Sequence, residues 1–365
     1  MSILIIGAGP TGLTLALALR QRGLPCRLVD RAVEPSRHSR ALAVQARTLE
    51  VLERLGPATP LLAEAQRVRG ITLHGRGRAE TRLDFPTVHP RLPPVVMLPQ
   101  ARTEALLLGA GAAPERGVDC LGIERGAALL RHPDGQVERA GAEWIIGCDG
   151  AHSTVRHALG AGFAGRAYPQ QLLLADGRLE GLEPDRLHFF PEAAHMLAFI
   201  PMPGGLWRGI AILPPEAEPP EEGTLAPFAL PGISLRDVIW WSAFRISRRQ
   251  VERYRHGRVL LAGDAAHIHS PAGGQGMNLG MQDAWALAAA LARGEAAVDE
   301  WATERHAVAR RVLIATDLVT RIVAGRGPLG TALRRAGFGL LAHLPALRRR
   351  AVRALAGLDY PAPAP

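Results

Sequence analysis

The feature of this sequence that most constrains its fold is a glycine-rich turn close to the amino terminus. A four-residue apolar run at 3–6 has the length of a buried strand, and it leads directly into Gly7-Ala8-Gly9-Pro10-Thr11-Gly12. The residues that follow favour a helix that ends at Gly23. In this arrangement Gly7 makes the tight turn, Gly9 lets a pyrophosphate approach the backbone, and Gly12 lets helix and strand pack closely. The free N–H groups at the start of the helix bind the anion.

A carboxylate follows this turn at the spacing that dinucleotide sites use. A second predicted strand at 26–29 leads into Asp30, eighteen residues after Gly12, where a carboxylate can bind the adenosine ribose hydroxyls. Strand, turn, helix and acid together predict a dinucleotide site, whereas a glycine motif alone would not. NAD and FAD both remain alternatives at this point.

The basic residues are unusual, because all 43 of them are arginines and the chain has no lysine. This composition excludes a Schiff-base lysine, a pyridoxal anchor and a P-loop phosphate lysine. Eleven arginines and one acid, Asp317, lie between Arg305 and Arg353, so the net charge of +9 is concentrated there and the rest of the chain is close to neutral. A neutral body and an aromatic content of 5% argue against nucleic acid as a partner.

Cysteine spacing and hydropathy favour a cytoplasmic protein. Cys26, Cys120 and Cys148 stand far apart without CxxC spacing, so we expect neither disulfides nor a metal site. The uncharged stretch 2–19 is long enough for a membrane span, but it has no basic flank, and its glycines and proline divide it into a strand and a helix. The length of the chain suggests about two domains.

Two later segments place polar loops after short apolar strands. The run at 144–148 ends in Asp149-Gly-Ala-His-Ser-Thr-Val-Arg156. The predicted strand at 257–262 leads into Gly263-Asp264-Ala-Ala-His and then into a glycine-rich loop that opens a helix predicted over 278–293. Such a loop presents N–H groups and the positive end of a helix dipole, which suits the negatively charged edge of a reduced flavin.

With these motifs the chain resembles the class A flavoprotein monooxygenases, the family of para-hydroxybenzoate hydroxylase, and within it the branch of polyketide and polycyclic aromatic hydroxylases. The matching segments are GAGPTG at 7–12, SRALAVQARTLEVLERLG at 39–56, DGAHSTVR at 149–156 and GRVLLAGDAAHIHSPAGGQGMNLGMQDAWALA at 257–288. They occur in the family's order. The resemblance implies an α/β fold, in which a Rossmann-type FAD-binding domain is interleaved with a mixed-sheet substrate domain and followed by a helical C-terminal segment.

The resemblance also assigns cofactor contacts at the matching positions. The residues implied to bind the ADP half of FAD are Gly7, Gly9, Gly12 and Asp30. Arg40 is implied to contact the pyrophosphate, and Gln100 the ribityl region. Asp149 and Arg156 are implied to serve both FAD and the nicotinamide donor. Asp264 is implied to bind the ribityl chain. The residues implied to line the flavin ring are Gly274, Gly276, Met277 and Asn278. Each has an ordinary alternative, such as a surface role for Arg40 or Arg156 and a helix cap for Asp264.

The reaction that the resemblance implies is oxygen insertion. NADPH or NADH reduces the flavin, O2 forms a C4a-hydroperoxide, and the distal oxygen passes to an electron-rich carbon of an aromatic substrate. Because water would release hydrogen peroxide from this intermediate, we expect a closed, apolar pocket. A phenol reacts better as a phenolate, so we also expect a base or a hydrogen-bond acceptor near its hydroxyl.

Segment 166–255 contains the alternating and apolar runs of a sheet, interrupted by an exposed loop at 214–223. The sequence does not identify the base. The candidates are His188, His195 and Tyr168, and for each a surface or packing role is the simpler interpretation. The same holds for most of the aromatic residues that could face a substrate, which are Phe189, Phe199, Trp207, Trp240 and Trp241.

Four other functions are alternatives to hydroxylation. A flavin halogenase typically carries a WxWxIP motif and a catalytic lysine, whereas the nearest stretch here is LWRGIAILP and lysine is absent. An FAD-dependent reductase or desaturase and a Baeyer–Villiger oxygenase of the same fold stay open. A non-catalytic FAD-binding protein is the alternative that is not an enzyme, because the chain ends before the thioredoxin-like domain that many relatives of this branch carry.

The domain boundaries follow from the order of the motifs. We expect the FAD-binding domain to comprise 1–70, 98–165 and 256–295, and the substrate domain to comprise 71–97 and 166–255. The remaining residues, 296–365, form a helical, basic segment in which Leu340, Leu341, Leu344 and Leu347 have helical spacing beside a cluster of arginines. A membrane-surface helix is one interpretation, and we favour leucines that pack on the body of the protein. The oligomeric state is open.

Overall fold

The structure is a computed structural model that describes residues 1–36, 41–75, 78–191, 196–215, 217–218, 221–324 and 327–361. Its first strands are β1 (Ile3–Ile6), β2 (Cys26–Asp30), β3 (Ala43–Gln45), β4 (Gln66–Arg67), β5 (Gly70–Gly75), β6 (Arg78–Asp84), β7 (Val95–Met97), β8 (Glu115–Arg116), β9 (Asp119–Glu124) and β10 (Ala127–Arg131). The later strands are β11 (Val137–Gly141), β12 (Trp144–Gly147), β13 (Phe163–Leu179), β14 (Arg186–Phe190), β15 (Met196–Pro201), β16 (Leu206–Leu213), β17 (Leu235–Val251), β18 (Arg255–His256), β19 (Val259–Leu261) and β20 (His267–Ile268). The helices are α1 (Pro10–Gln21), α2 (Ala46–Leu55), α3 (Ala58–Glu64), α4 (Gln100–Gly109), α5 (Thr154–Ala158), α6 (Gln275–Arg293), α7 (Glu295–Ala324), α8 (Gly327–His343) and α9 (Pro345–Leu355).

A six-stranded sheet carries the three glycine-rich motifs. Its strand order is β18-β19-β12-β1-β2-β8, and every neighbouring pair is parallel except β18 and β19. The apolar runs that form β1, β12 and β19 are fully buried, as is typical of parallel strands covered on both faces. Helices α1 and α6 pack on each other beside this sheet. The loops that follow β1, β12 and β19 therefore lie side by side at its carboxyl edge.

An eight-stranded sheet, in the order β20-β17-β13-β16-β15-β14-β5-β6, forms the second layer. Because side chains alternate along a strand, each of its faces has its own apolar cluster. The outer face carries Leu173, Phe199 and Trp207 beneath Phe228. The inner face packs on the small sheet β3-β7-β4.

Both sheets confirm the predicted α/β class with two interleaved sheet systems. A further antiparallel sheet, β11-β10-β9, lies between β8 and β12 in the chain. The helix predicted over 278–293 begins at Gln275, three residues earlier, because Gly274 adopts a left-handed conformation that starts the helix there. Strand β17 is longer than the predicted run because it spans the whole sheet beside β13. The predicted loop at 214–223 lies partly outside the described residues.

The expectation that the C-terminal leucines pack on the body is wrong. Leu340, Leu344 and Leu347 are 52%, 47% and 40% exposed. Leu341 is half-buried, and α8 contacts β6. After the end of α9, Ala356 is buried and accepts a backbone hydrogen bond from Arg47 at 3.1 Å. Among the helices of the described residues, none is long and apolar enough to cross a membrane.

Candidate functional site

The glycine-rich turn after β1 has the geometry that its sequence predicts. Gly7 has a φ of +104°, and a Cβ there would lie 2.4 Å from the carbonyl oxygen of Cys148. A Cβ at Gly12 would lie 1.9 Å from the carbonyl oxygen of Gly7. A Cβ at Gly9, in contrast, would meet none of the described atoms within 4 Å. The turn is thus closed by Gly7 and Gly12 and open above Gly9, which leaves a cradle for a pyrophosphate.

Asp30 ends β2 directly beside this turn. Its Oδ2 accepts a hydrogen bond from the Ala8 backbone N–H at 2.5 Å, and its Oδ1 accepts one from Ala32 at 2.8 Å. The Arg116 guanidinium lies 3.7 Å from Oδ1. One buried nitrogen of Arg116, Nη2, has no hydrogen-bond partner among the described residues. An unsatisfied guanidinium nitrogen beside the turn is the group that a ribose or phosphate oxygen would satisfy.

Gln100 begins α4 on the same side of the site. Its Nε2 donates to Oε1 of the buried Glu104 at 2.8 Å. Burial raises the pKa of Glu104, and the Gln100 hydrogen bond and Arg116 only partly oppose the shift. The backbone N–H of Gln100 donates to Ala41, so α4 starts against the segment that precedes β3. These contacts place the start of α4 beside the segment that leads into β3, and the ribityl role of Gln100 remains a prediction.

The predicted pair Asp149 and Arg156 is brought together after β12. The Val155 N–H donates to Asp149 Oδ2 at 3.1 Å, and Oδ1 is buried without a partner among the described residues. Arg156 is buried, and it donates from Nη1 to the Ala265 carbonyl and from Nη2 to the Ala151 carbonyl. Arg156 therefore links the loop after β12 to the turn after β19. Its contact with a nicotinamide donor stays a prediction.

Thr11 holds three of the site's segments together, a role that sequence reasoning missed. A Cβ at Gly263 would lie 2.5 Å from Thr11 Oγ1, and a Cβ at Gly280 would lie 2.4 Å from the same atom. The threonine thus occupies a notch formed by two glycines, one from the turn after β19 and one from α6. Asp264 follows Gly263 with an exposed side chain, and this position agrees with, but does not test, its predicted ribityl contact.

The segment 271–278, here called the flavin loop, opens α6. Gly273 and Gly274 have φ values of +79° and +61°, and a Cβ at Gly274 would lie 2.7 Å from the Ala43 Cβ. Asn278 is buried, and its amide donates to the carbonyls of Ala43 and Gly274 at 2.8 and 2.7 Å and accepts from the Gln45 N–H at 2.9 Å. This side chain therefore fixes the flavin loop to β3. Gly276 and Met277 lie in the first turn of α6, where N–H groups have no partner within the helix.

A buried charged group behind the flavin loop was also missed. His267 Nε2 lies 2.7 Å from Asp283 Oδ2, and Arg305 Nε donates to Asp283 Oδ1 at 2.5 Å. All three side chains are almost completely buried. The group connects β20, α6 and α7, and thereby sets the position of the flavin loop between them.

The inner face of the eight-stranded sheet covers this side of the molecule and is here called the roof. Its members alternate along the strands; they are Leu172, Leu174, Asp176, Phe189, Ile200, Leu206, Arg208, Ile210, Ile212, Trp240 and Phe244. One end packs on Leu42 and Met97 beside β3, and the other forms a separate apolar cluster around Leu172. Of the aromatic residues considered above, Phe189 and Trp240 lie on the roof, whereas Phe199, Trp207 and Trp241 pack in the outer cluster.

A buried ion pair lies between the two apolar parts of the roof. Arg208 Nε and Nη2 each donate to one oxygen of Asp176 at 2.7 Å. The guanidinium carbon lies 5.0 Å from the centre of the Trp240 ring. The pair is separated by 32 residues in the chain, and no local motif indicates it.

Of the candidate bases, His188 lies on the outer face. Its Nδ1 is 2.9 Å from His74 Nε2, and its Nε2 is 2.9 Å from the Glu183 carbonyl oxygen. Burial lowers the pKa of both histidines, that of His74 to about 4, and so favours their neutral forms. His195 lies outside the described residues, as does Arg40. Of the two candidates that the structure describes, Tyr168 lies next to the roof.

The parallel sheet with its glycine-rich loops and the second, eight-stranded sheet together indicate an FAD-binding flavoprotein. Comparison with known proteins supports this class. The FAD binding domain family matches residues 1–216 and 224–316. The chain is 39% identical to 6-methylpretetramide 4-monooxygenase of Streptomyces rimosus, over 98% of this chain and 68% of the relative. The solved structure of OxyS anhydrotetracycline hydroxylase from Streptomyces rimosus is 35% identical, with a TM-score of 0.82 over 99% of this chain and 77% of that one. CabE, an aromatic hydroxylase from angucycline biosynthesis, is 31% identical, with a TM-score of 0.79 over 98% and 76%.

The chain therefore belongs to the FAD binding domain family. It is an enzyme, a flavin-dependent monooxygenase that binds FAD and takes electrons from NAD(P)H. The residues present fit this cofactor: the open cradle at Gly9 and the unsatisfied Arg116 nitrogen suit the ADP end, and the flavin loop suits the ring.

Proposed function

We propose that this enzyme uses O2 and NAD(P)H to hydroxylate a phenolic aromatic compound of the polycyclic, polyketide type. The observation that carries the proposal is the apolar part of the roof around Leu172, Leu174, Ile210 and Ile212. The other end of the roof packs on β3, to which the flavin loop is bound. A broad aliphatic and aromatic surface binds a fused ring system by area and excludes water from it. The names of the similar monooxygenases support the same substrate class.

Each part of the site contributes one step to this activity. When bound, FAD supplies the reduced flavin that activates O2. The turn at 7–12 and Asp30 would hold its ADP end, and the N–H groups at the start of α6 would stabilise negative charge on the flavin ring. The roof would orient the substrate and keep water out.

The experiment is a screen of polycyclic phenols, with anhydrotetracycline, naphthol and alizarin as the first panel. We expect at least one of them to accelerate NAD(P)H oxidation by the holoenzyme and to yield a product one oxygen atom heavier by mass spectrometry. The Asp264→Ala variant, which we expect to lose FAD, is the cofactor-free control. Accelerated oxidation that forms only hydrogen peroxide, with no oxygenated product from any of the phenols, would contradict the proposal.

A further inference from the structure

Tyr168 lies at the far end of the roof from β3. Its side chain is 7% exposed and packs with Leu172, Leu174 and Ile246 in the apolar cluster there. Strand β13 is irregular between Ala167 and Gln171, opposite β17. The tyrosine ring therefore borders the surface on which the proposed substrate would lie, and it brings an ionisable hydroxyl to an otherwise apolar region.

The hydroxyl of Tyr168 is bound to a carboxylate of a distant helix. Tyr168 donates to Oδ1 of Asp317, in α7, at 2.6 Å. Oδ2 of Asp317 accepts hydrogen bonds from Arg248 Nη1 at 2.7 Å and pairs with Arg321 Nη2 at 2.9 Å. Burial and then the hydrogen bond to Asp317 raise the pKa of Tyr168 to about 12. Burial alone would raise the pKa of Asp317, but the hydrogen bonds from Tyr168 and Arg321 and the charge of Arg248 lower it below its ordinary value.

This cluster is joined on one side to the flavin loop and on the other to solvent. Thr320, one helical turn after Asp317, donates from Oγ1 to Ser270 Oγ at 2.5 Å, and Ser270 directly precedes the loop. The Arg321 side chain is 59% exposed. The carboxylate of Asp317 thus lies between a buried hydroxyl and an arginine at the surface.

We propose that Tyr168 and Asp317 form the proton-transfer couple for the phenolic hydroxyl of the substrate. The substrate O–H donates to Tyr168 Oη, and its proton moves to that oxygen as the Tyr168 proton moves to Asp317 Oδ1. Asp317 does not retain this proton, because its neighbours favour the carboxylate, and it passes the proton on to water beside Arg321. The electron pair stays on the substrate as phenolate. The inference rests on the proposed function, because it needs a phenol beside the roof.

Two other ionisable groups near the roof, Asp176 and His188, are hydrogen-bonded to other residues of the fold. Both oxygens of Asp176 accept hydrogen bonds from Arg208, which is 2% exposed, so this carboxylate is not bound to a surface arginine as Asp317 is. His188 points to the outer face with both ring nitrogens engaged. Of the described residues on this face, Tyr168 combines a hydroxyl, a bound carboxylate and a route to solvent.

The first test compares Tyr168→Phe and Asp317→Asn, using the panel phenol that the wild-type holoenzyme hydroxylates fastest. We expect kcat for product formation to fall about a hundredfold at neutral pH in both variants, with KM little changed and hydrogen peroxide replacing product. The loss should shrink as the pH rises, because the free phenol then ionises without help. Tyr360→Phe, which removes a tyrosine hydroxyl elsewhere in the chain, is the control and should behave like wild type.

Unchanged product yield and pH profile in Tyr168→Phe would overturn the proposal, as would a loss that higher pH does not restore. Asp317→Asn keeps the tyrosine ring and its packing, so it remains informative if Tyr168→Phe folds poorly. If the wild-type enzyme itself yields no oxygenated product, the proposed function fails, and that result is separate from the comparison of variants.

The second test needs no turnover. Alizarin changes colour when its hydroxyl ionises, so its apparent pKa can be read while it is bound to the oxidised holoenzyme. We expect wild type to lower the pKa of bound alizarin relative to the free dye, and Tyr168→Phe to abolish that shift. No binding to the wild-type enzyme, or the same apparent pKa with both proteins, would overturn the proposal.

Discussion

At the scale of single residues, Gly9 is a position where a substitution should change cofactor binding without changing the stability of the fold. A Cβ at Gly7 or Gly12 would meet backbone atoms, whereas a Cβ at Gly9 would meet none of the described atoms within 4 Å. We expect Gly9→Ala to leave the free energy of unfolding of the apoprotein unchanged and to weaken FAD binding about tenfold or more, equivalent to roughly 1.4 kcal/mol. The physical reason is that the methyl group would occupy the space through which a pyrophosphate approaches the turn. Calorimetric titration of apoprotein with FAD measures the effect.

Gly109→Ala is the matched control for this substitution, because a Cβ there also meets nothing within 4 Å of the described atoms and the residue lies at the end of α4, away from the turn. Its FAD affinity should equal that of wild type. Equal affinity in Gly9→Ala and wild type would show that the turn does not hold the cofactor.

The residues of the site differ in how far the sequence alone could predict them. Gly7, Gly9 and Gly12 could be identified because a short local pattern determines the turn that they form. Asp317 and its partner Tyr168 are 149 residues apart, and the meeting of two distant segments depends on how the elements pack rather than on spacing. Tyr168 could be named as a candidate from the sequence, but the role proposed for it depends on the contact with Asp317, which spacing does not predict.

At the scale of elements, the buried group of His267, Asp283 and Arg305 fixes α6 and α7 against β20. Removing one partner of a buried ion pair leaves the other charge without compensation. We expect Arg305→Met to lower the free energy of unfolding by about 3 kcal/mol and to weaken FAD binding, since the flavin loop opens α6. Urea unfolding followed by circular dichroism measures the first effect, and FAD titration the second.

Arg293→Met supplies the comparison, because Arg293 pairs with Glu300 at 2.7 Å on the surface. We expect that change to cost less than about 1 kcal/mol. If the two methionine variants unfold at the same urea concentration, the buried group does not hold the helices together.

The positions of helices and strands could largely be predicted from the sequence, but the elements that they pack against could not. The strand at 3–6 agrees with the structure residue for residue, and α6 was misplaced only at its start. The C-terminal leucines were wrongly expected to be buried, because helical spacing shows that a face is apolar but not whether another element covers it. The residues after α9 pack on the body, where Ala356 accepts a hydrogen bond from Arg47.

At the scale of the whole molecule, two sheets meet at the site. The parallel sheet brings the loops after β1, β12 and β19 to one edge, and the inner face of the eight-stranded sheet packs on β3, to which Asn278 binds the flavin loop. Sequence motifs predicted the cofactor side of the site, because cofactor binding uses glycines at set spacings. They could not identify the substrate surface, which is built from ordinary apolar residues that alternate along long strands.

The most direct test of this account is the fate of molecular oxygen. With heavy-isotope O2, NAD(P)H and a phenol that stimulates oxidation, we expect mass spectrometry to show a product carrying one labelled oxygen atom on its ring. The second labelled atom should appear in water. An oxygenated product without label, or complete conversion of the labelled O2 to hydrogen peroxide, would contradict the assignment as an aromatic hydroxylase.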